Sequence, residues 1–178
     1  MNKIIRTIPY VVAAVVFAGG AAAQTNGGSS AAKQQPSESA GADATFIQKA
    51  GEGGIAEVEL SKLAEKNAKS GEVRRFAEHM VQDHSSNNRE LEKIASKENI
   101  ALPKDLDSEH ATLRDKLASL KDENFDKAYI DAMRVDHQKM DDLLKSSAGT
   151  VSSDDLRTFI RKTKPVVEAH LREAQKLE

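Results

Sequence analysis

The chain has 178 residues, a formal net charge of −2, few aromatic residues and no cysteine. The lack of a basic excess argues against a nucleic-acid-binding protein, and the lack of cysteine excludes disulfides and a lipid-modified N-terminal cysteine. Stability must therefore come from an apolar core, and a composition rich in Ala, Leu, Lys and Glu predicts that this core is built from helices.

Residues 1–23 have the pattern of a secretory signal peptide. Lys3 and Arg6 precede an apolar run over residues 8–18, and the small residues Ala21 to Ala23 follow it. The run is too short for a membrane-spanning helix. We therefore predict cleavage after Ala23, a periplasmic or secreted protein, and no transmembrane span in the mature chain. Losing the two basic residues brings the net charge to about −4.

Residues 24–42 are predicted to be a flexible linker. They are rich in Gly, Ser, Gln and Ala and have no apolar periodicity. The remaining residues, 43–178, have the length of one ordinary domain.

The first half of this domain is predicted to form two long amphipathic helices. Asp43 can cap the first helix, which runs to about Lys69. Ser70 can cap the second, which ends near Asn99, and so short a link makes the two helices antiparallel neighbours. Three glycines interrupt the first helix, and we expect Gly53 to permit the close approach of a neighbour.

The second half repeats this arrangement after a short amphipathic segment over residues 105–120. Asp122 can cap a long helix to about Ser147, and Ser153 can cap the last helix, which Pro165 should bend. The predicted fold is all-α: an antiparallel ferritin-like four-helix bundle with a short extra helix between the second and third long helices.

Polar residues with metal-binding side chains interrupt the apolar faces of all four long helices. They are Glu57 in the first helix, His84 in the second, Asp136 and His137 in the third, and His170 in the last. Carboxylate and imidazole groups together suit Zn, Fe or Mn. Glu57 and His84 should be level, because each lies about 20 Å along its helix from the Ser70 turn.

Two features of the sequence weigh against a metal site. No His is preceded by a Glu at the third position before it, so the di-iron pattern of ferritin-like proteins is missing. Counting from the Gly149 turn also offsets Asp136 from His170 by about 12 Å. We therefore favour a buried Glu57–His84 hydrogen bond that fixes helix register over a metal site. We also expect His84 and Asp136 to point inward, with Asp83 and His137 flanking them.

Four segments of the domain resemble a known family. They read FIQKAGEGGIAEVELSKLAEKNA, EVRRFAEHMVQDHSSNNREL, FDKAYIDAMRVDHQKM and LRTFIRKTKPVVEAHL. They are similar to an exported bacterial family catalogued as domain of unknown function 4142, which is assigned to the ferritin-like bundles. The resemblance covers about Ala44 to Leu177. It implies a ferritin-like fold and a periplasmic or envelope location, and it implies no established activity.

These observations predict an exported helical bundle that acts as a binding or stress-related envelope protein, and we assign no catalytic residue. One alternative is a metal-binding protein with a Glu/His/Asp site between the helices, for metal storage or redox work. Another is a structural interaction module tethered near the membrane. An envelope protein or a second copy of the chain would be its partner.

The predicted signal peptide, residues 1–23, can be tested directly. Expressed with its own N-terminus in a bacterium that secretes proteins, the chain should be recovered from the periplasm or medium with Gln24 as its first residue. Intact mass measurement of the purified protein checks this. A chain that keeps Lys3 and Arg6 would contradict it.

Overall fold

Five α-helices make up the domain in the computed structural model, which describes residues 38–178. They are α1 (Glu38–Asn67), α2 (Gly71–Lys97), α3 (Ser108–Ser119), α4 (Asp122–Ser147) and α5 (Asp154–Ala174). No strand occurs among these residues, so the all-α prediction is confirmed. No helix in this part of the chain is long and apolar enough to cross a membrane. The predicted signal peptide lies outside the described residues.

The four long helices form a bundle in which each packs against two others. Helix α1 packs on α2 and α4, and α5 packs on α4 and α2. The end of α1 meets the start of α4 and the start of α1 meets the end of α4, so these neighbours are antiparallel. Helices α2 and α4 then run in the same direction. The segment between them must therefore return along the bundle, and α3 forms part of it, packed on α1 and α4. One long crossover of this kind is characteristic of ferritin-like bundles.

Two predicted caps are present and two are wrong. The hydroxyls of Ser70 and Ser153 accept hydrogen bonds from backbone N–H groups in the first turns of α2 and α5. Helix α1 instead begins at Glu38, within the predicted linker, so Asp43 lies inside the helix. The N-cap of α4 is Lys121, which makes no side-chain capping bond, and Asp122 is the first residue of the helix.

Two carboxylates that do not cap their own helices fix the ends of the bundle. Asp43 is buried, and its oxygens accept hydrogen bonds from the backbone N–H groups of Ser152 at 2.7 Å and Ser153 at 3.2 Å. At the other end, the Asp126 carboxylate accepts from the backbone N–H groups of Lys69 and Ser70. Each carboxylate satisfies donors in a turn or at a helix start that would otherwise lack partners.

Helix α1 passes through its three glycines without a break because its neighbours approach closely there. A Cβ atom on Gly53 would lie 2.8 Å from the Met140 methyl carbon, as expected for a close approach at this position. The approach at Gly54 is tighter, since a Cβ atom there would lie 2.1 Å from Asn88 Oδ1. The amide of Asn88 also donates a hydrogen bond to the Gly54 carbonyl at 2.9 Å. The conformational cost of glycine in a helix is therefore offset by packing.

The apolar core consists of two clusters, one toward each end of the bundle. The first contains Phe46, Ile47, Leu91, Met140, Leu144, Phe159 and Val167, among others. The second contains Leu60, Phe76, Met80, Phe125, Tyr129, Met133 and Ala174, among others. In all four long helices the residues between the two clusters include a buried polar side chain. A polar layer therefore separates the two halves of the core.

Truncating large side chains in the first cluster should destabilise the fold. Leu91 and Phe159 are 1% and 4% exposed, so Leu91→Ala and Phe159→Ala should each lower the free energy of unfolding by about 2–5 kcal/mol. Urea unfolding measures this. Val135→Ala is the control, because Val135 is 41% exposed and should lose less than about 0.5 kcal/mol. Equal losses in all three variants would contradict the observed core.

Candidate metal centre

The polar layer consists of one buried side chain from each long helix. These are Glu57 from α1, His84 from α2, His137 from α4 and His170 from α5, all no more than 4% exposed. Each lies between residues of the two apolar clusters along its own helix, which holds all four at the same level. Four ionisable side chains are thereby enclosed in apolar surroundings.

The three imidazole rings form a nearly equilateral triangle. Their centroids are 5.4 Å apart for His84 and His137, 5.3 Å for His84 and His170, and 5.4 Å for His137 and His170. One nitrogen of each ring lies within 4.8 Å of a nitrogen of both others. Three rings bound to one tetrahedral metal ion, with bonds of 2.0–2.1 Å, would have centroids roughly 5 Å apart. The triangle therefore has the dimensions of a three-histidine metal site.

Each ring directs one nitrogen away from the triangle toward an oxygen. His84 Nδ1 lies 2.8 Å from Glu57 Oε2, and His137 Nδ1 donates to the Met133 carbonyl at 2.8 Å. His170 Nε2 donates to Asp83 Oδ2 at 3.0 Å. Metal-binding histidines usually have their outer nitrogen held by a carboxylate or a carbonyl in this way. The ring orientations therefore leave His84 Nε2, His137 Nε2 and His170 Nδ1 as the candidate ligand atoms.

These inner nitrogens have weak partners or none within the described part of the chain. His84 Nε2 and His170 Nδ1 are 3.3 Å apart, long for a hydrogen bond and close to the roughly 3.3 Å between two ligands of a tetrahedral zinc ion. His137 Nε2 is buried without a hydrogen-bond partner. Neither oxygen of Glu57 has a partner in hydrogen-bonding geometry, although His84 Nδ1 is only 2.8 Å away, so that contact is electrostatic. Buried polar atoms left this way cost free energy, and a cation among them would remove the cost.

The structure corrects two expectations about which residues meet. His137 lies in the layer, 3.4 Å from Glu57 Oε1, while Asp136 faces α3. The predicted offset of about 12 Å between Asp136 and His170 is also wrong, because the ring of His170 lies 5.4 Å from that of His137, the residue next to Asp136. Counting from Gly149 assumed that α4 ends and α5 begins at the same level, at that glycine. The chain instead continues to the contact between Asp43 and Ser153 before α5 begins.

The role of Asp83 is the feature that sequence reasoning missed. Asp83 lies at the edge of the apolar face of α2. Its partner His170 lies in α5, 87 positions later in the chain. Asp83 binds His170 and not its neighbour His84, since successive residues on a helix point about 100° apart. No local pattern in α2 indicates a partner on another helix.

A comparison with protein families gives a match for residues 28–177, to the family described as "Domain of unknown function (DUF4142)". The chain belongs to this family. Comparison with curated proteins finds no match to this DUF4142 chain.

Two solved structures share the fold of this DUF4142 protein at low sequence identity. One is a DUF305 fragment from Deinococcus radiodurans, with a TM-score of 0.68, 13% identity, and coverage of 76% of this chain and 94% of that one. The other is described as "putative secreted protein DUF305" from Streptomyces coelicolor, with a TM-score of 0.67 and 17% identity. It covers 76% of this chain and 89% of its own. At such identities the similarity concerns the fold alone.

Burial and the charges of neighbouring groups both shift the pKa values of the four side chains in the polar layer. Burial raises the pKa of Glu57, but the charges of His84, His137 and His170 outweigh it and bring this pKa to about 2. Burial lowers the pKa of His137, and burial together with the charges of the other two rings lowers that of His170 to about 4. Burial also opposes the charged form of His84, yet Glu57 raises its pKa. His137 and His170 are thereby kept in the neutral form that binds metal ions, whereas His84 would release its proton when a metal ion binds.

Asp136 belongs to a second polar group beside the layer. His110 Nδ1 lies 2.6 Å from the carboxylate of Asp107, the N-cap of α3, and His110 Nε2 lies 3.7 Å from Asp136 Oδ2. The Asp136 carboxylate is the largest cause that raises the pKa of His110 to about 9, against burial and with the help of Asp107. A charged His110 between two carboxylates therefore attaches α3 to α4.

This attachment predicts a loss of stability at high pH. A folded pKa raised from 6.5 to about 9 means that the contribution of His110 is complete below pH 6.5 and is lost as the pH rises through 9. Between pH 6.5 and 9.5 the free energy of unfolding should fall by about 1–2 kcal/mol more in the wild type than in His110→Gln, after allowance for solvent screening. Urea unfolding at both pH values measures the difference. His79→Gln, at an exposed position of α2, should behave as the wild type.

Proposed function

We propose that this protein is an exported metal-binding protein that holds one divalent transition-metal ion, Zn, Fe or Mn, between its four long helices. The observation that carries the proposal is the orientation of three buried rings. His84, His137 and His170 direct one nitrogen each toward a common point, while oxygens hold their outer nitrogens. Hydrogen bonding alone does not account for this arrangement, because His137 Nε2 has no partner.

The donor set supports a site for a single ion. Dinuclear carboxylate sites in helical bundles use several Glu side chains, whereas this layer has one carboxylate, Glu57, for three imidazoles. Glu57 lies beside the rings of His84 and His137, so it can balance the charge of a divalent ion from its present position. Three imidazoles with one carboxylate suit Zn in tetrahedral geometry, and Fe or Mn with added water ligands. A site so enclosed suits the retention of one ion more than the storage of many.

Export is part of the proposal and rests on the sequence. Residues 1–23 have the charge, apolar run and small residues of a signal peptide, and residues 24–37 continue with linker composition. The description of a structural neighbour as secreted supports the same location. A metal-binding protein of the envelope would meet metal ions before they enter the cell.

Metal analysis of protein purified without a polyhistidine tag or chelator tests the proposal. We expect about one ion per chain, and loss of that ion in His84→Ala, His137→Ala and His170→Ala, since each removes a ligand. Asp83→Ala should weaken binding by about 10- to 100-fold, because it only orients His170. His79→Ala, at an exposed position of α2, is the matched control and should retain the ion.

Thermal unfolding distinguishes this proposal from a register-fixing polar pair. A metal ion at about 1,000 times its Kd should raise the melting temperature by roughly 10 °C or more, and Glu57→Leu with His84→Leu should abolish the shift. If the layer is only structural, the double variant should instead recover most of the stability that each single variant loses. Such recovery, with no shift from Zn, Fe or Mn in the wild type, would contradict the proposal.

A further inference from the structure

A cleft beside α3 leads from the surface to the polar layer. It lies between α1, α3 and α4 and has a volume of about 230 Å³. Lys49 and Lys139 line it on exposed parts of their helices, and Glu57 lines it in the buried layer. A hydrated cation cannot reach the layer along the bundle axis, because an apolar cluster closes each side of it. Access must be from the side of the bundle, and this cleft reaches a residue of the layer from that side.

The charge of the cleft suits a cation. Five carboxylates line it, against two ammonium groups and one imidazole; the carboxylates are Glu52, Glu57, Asp107, Glu109 and Asp136. The cleft therefore remains negative even with His110 protonated. A concave negative surface with low-dielectric walls concentrates cations and speeds their association.

Two of these carboxylates are buried and have oxygens without hydrogen-bond partners. Asp136 is 9% exposed, and its Oδ2 has no hydrogen-bond partner. Its two cationic neighbours, His110 Nε2 and Lys139 Nζ, each lie 3.7 Å from one of its oxygens, too far for a hydrogen bond. Deeper in the cleft, both oxygens of Glu57 are also buried without a hydrogen-bond partner. Asp136 precedes His137 in α4, and Glu57 contacts the His84 and His137 rings. Available carboxylate oxygens thus occur at two successive depths.

We propose that this cleft is the entry port of the divalent cation, with Asp136 and then Glu57 replacing its water ligands on the way to the three imidazoles. The inference rests on the proposed metal centre and adds a route to it. A cation that loses its water ligands needs other oxygen ligands at each step. The carboxylates of Asp136 and Glu57 supply these oxygens from their positions on α4 and α1. The cleft residues control how fast the ion enters and leaves, while the imidazoles determine how tightly it is held.

Stopped-flow uptake of Co²⁺, followed by its visible absorption in protein made metal-free with a chelator, tests the port. Asp136→Asn removes the charge and keeps the size of the side chain, and it should slow association by about threefold or more and reduce the dependence on ionic strength. Its control is Asp131→Asn, on α4 at a half-exposed carboxylate paired with Lys127, which should take up Co²⁺ at the wild-type rate.

A second variant blocks the cleft without changing charge. Gly53 lines the cleft, and only the flexible end of Met140 lies within 4 Å of a Cβ atom added there, so Gly53→Leu should narrow the passage. Association and dissociation should slow by the same factor, about threefold or more, and Kd should stay constant, since a port alters rates and not the bound state. Gly41→Leu, in the same helix with nothing within 4 Å, is the matched control.

The outcomes separate the two proposals. Wild-type protein that takes up no Co²⁺ would overturn the metal centre and the port with it. Stoichiometric Co²⁺ binding at unchanged rates in both cleft variants would overturn the port and leave the centre. Slower dissociation and association in Gly53→Leu alone would also overturn the assigned role of Asp136.

Discussion

The structure depends on one constraint: four helices must place Glu57, His84, His137 and His170 at the same level inside an apolar bundle. Each of these side chains interrupts an apolar face, and together they divide the core into two clusters. A shift of one helix by a single turn, about 5.4 Å, would bury a polar group against an apolar cluster. The polar layer therefore selects one register among the several that apolar packing alone would allow.

The ends of the bundle maintain this register through contacts distant in sequence. Asp43 in α1 binds the backbone at the start of α5, and Asp126 in α4 binds the backbone between α1 and α2. Asp43 thus binds the turn that follows α4, and Asp126 binds the turn that follows α1, so the antiparallel neighbours α1 and α4 are joined at both ends. The crossover from α2 to α4 then places α3 over the open side of α1 and α4, where His110 meets Asp136. The same topology that fixes the layer also forms the acidic cleft beside it.

Fold stability and metal binding are linked through the polar groups of the layer. A buried carboxylate and three imidazoles cost free energy unless a proton or a cation lies between them. The Glu57 carboxylate already favours the charged form of His84 by raising its pKa. Burial instead lowers the pKa values of His137 and His170 and favours their neutral forms. A metal ion at the centre would satisfy the remaining nitrogens without moving the rings far. Function and register would then depend on the same four side chains.

The sequence alone determined the helices, the caps at Ser70 and Ser153, and the common level of Glu57 and His84, because these depend on local periodicity and short turns. It did not determine whether Asp136 or His137 points inward, since both lie three or four residues from Met133 and from Met140 on the same helical face. Tertiary packing decided this by placing α3 and His110 beside Asp136. It also decided the level of His170, because the start of α5 is fixed by Asp43, more than a hundred residues earlier in the chain.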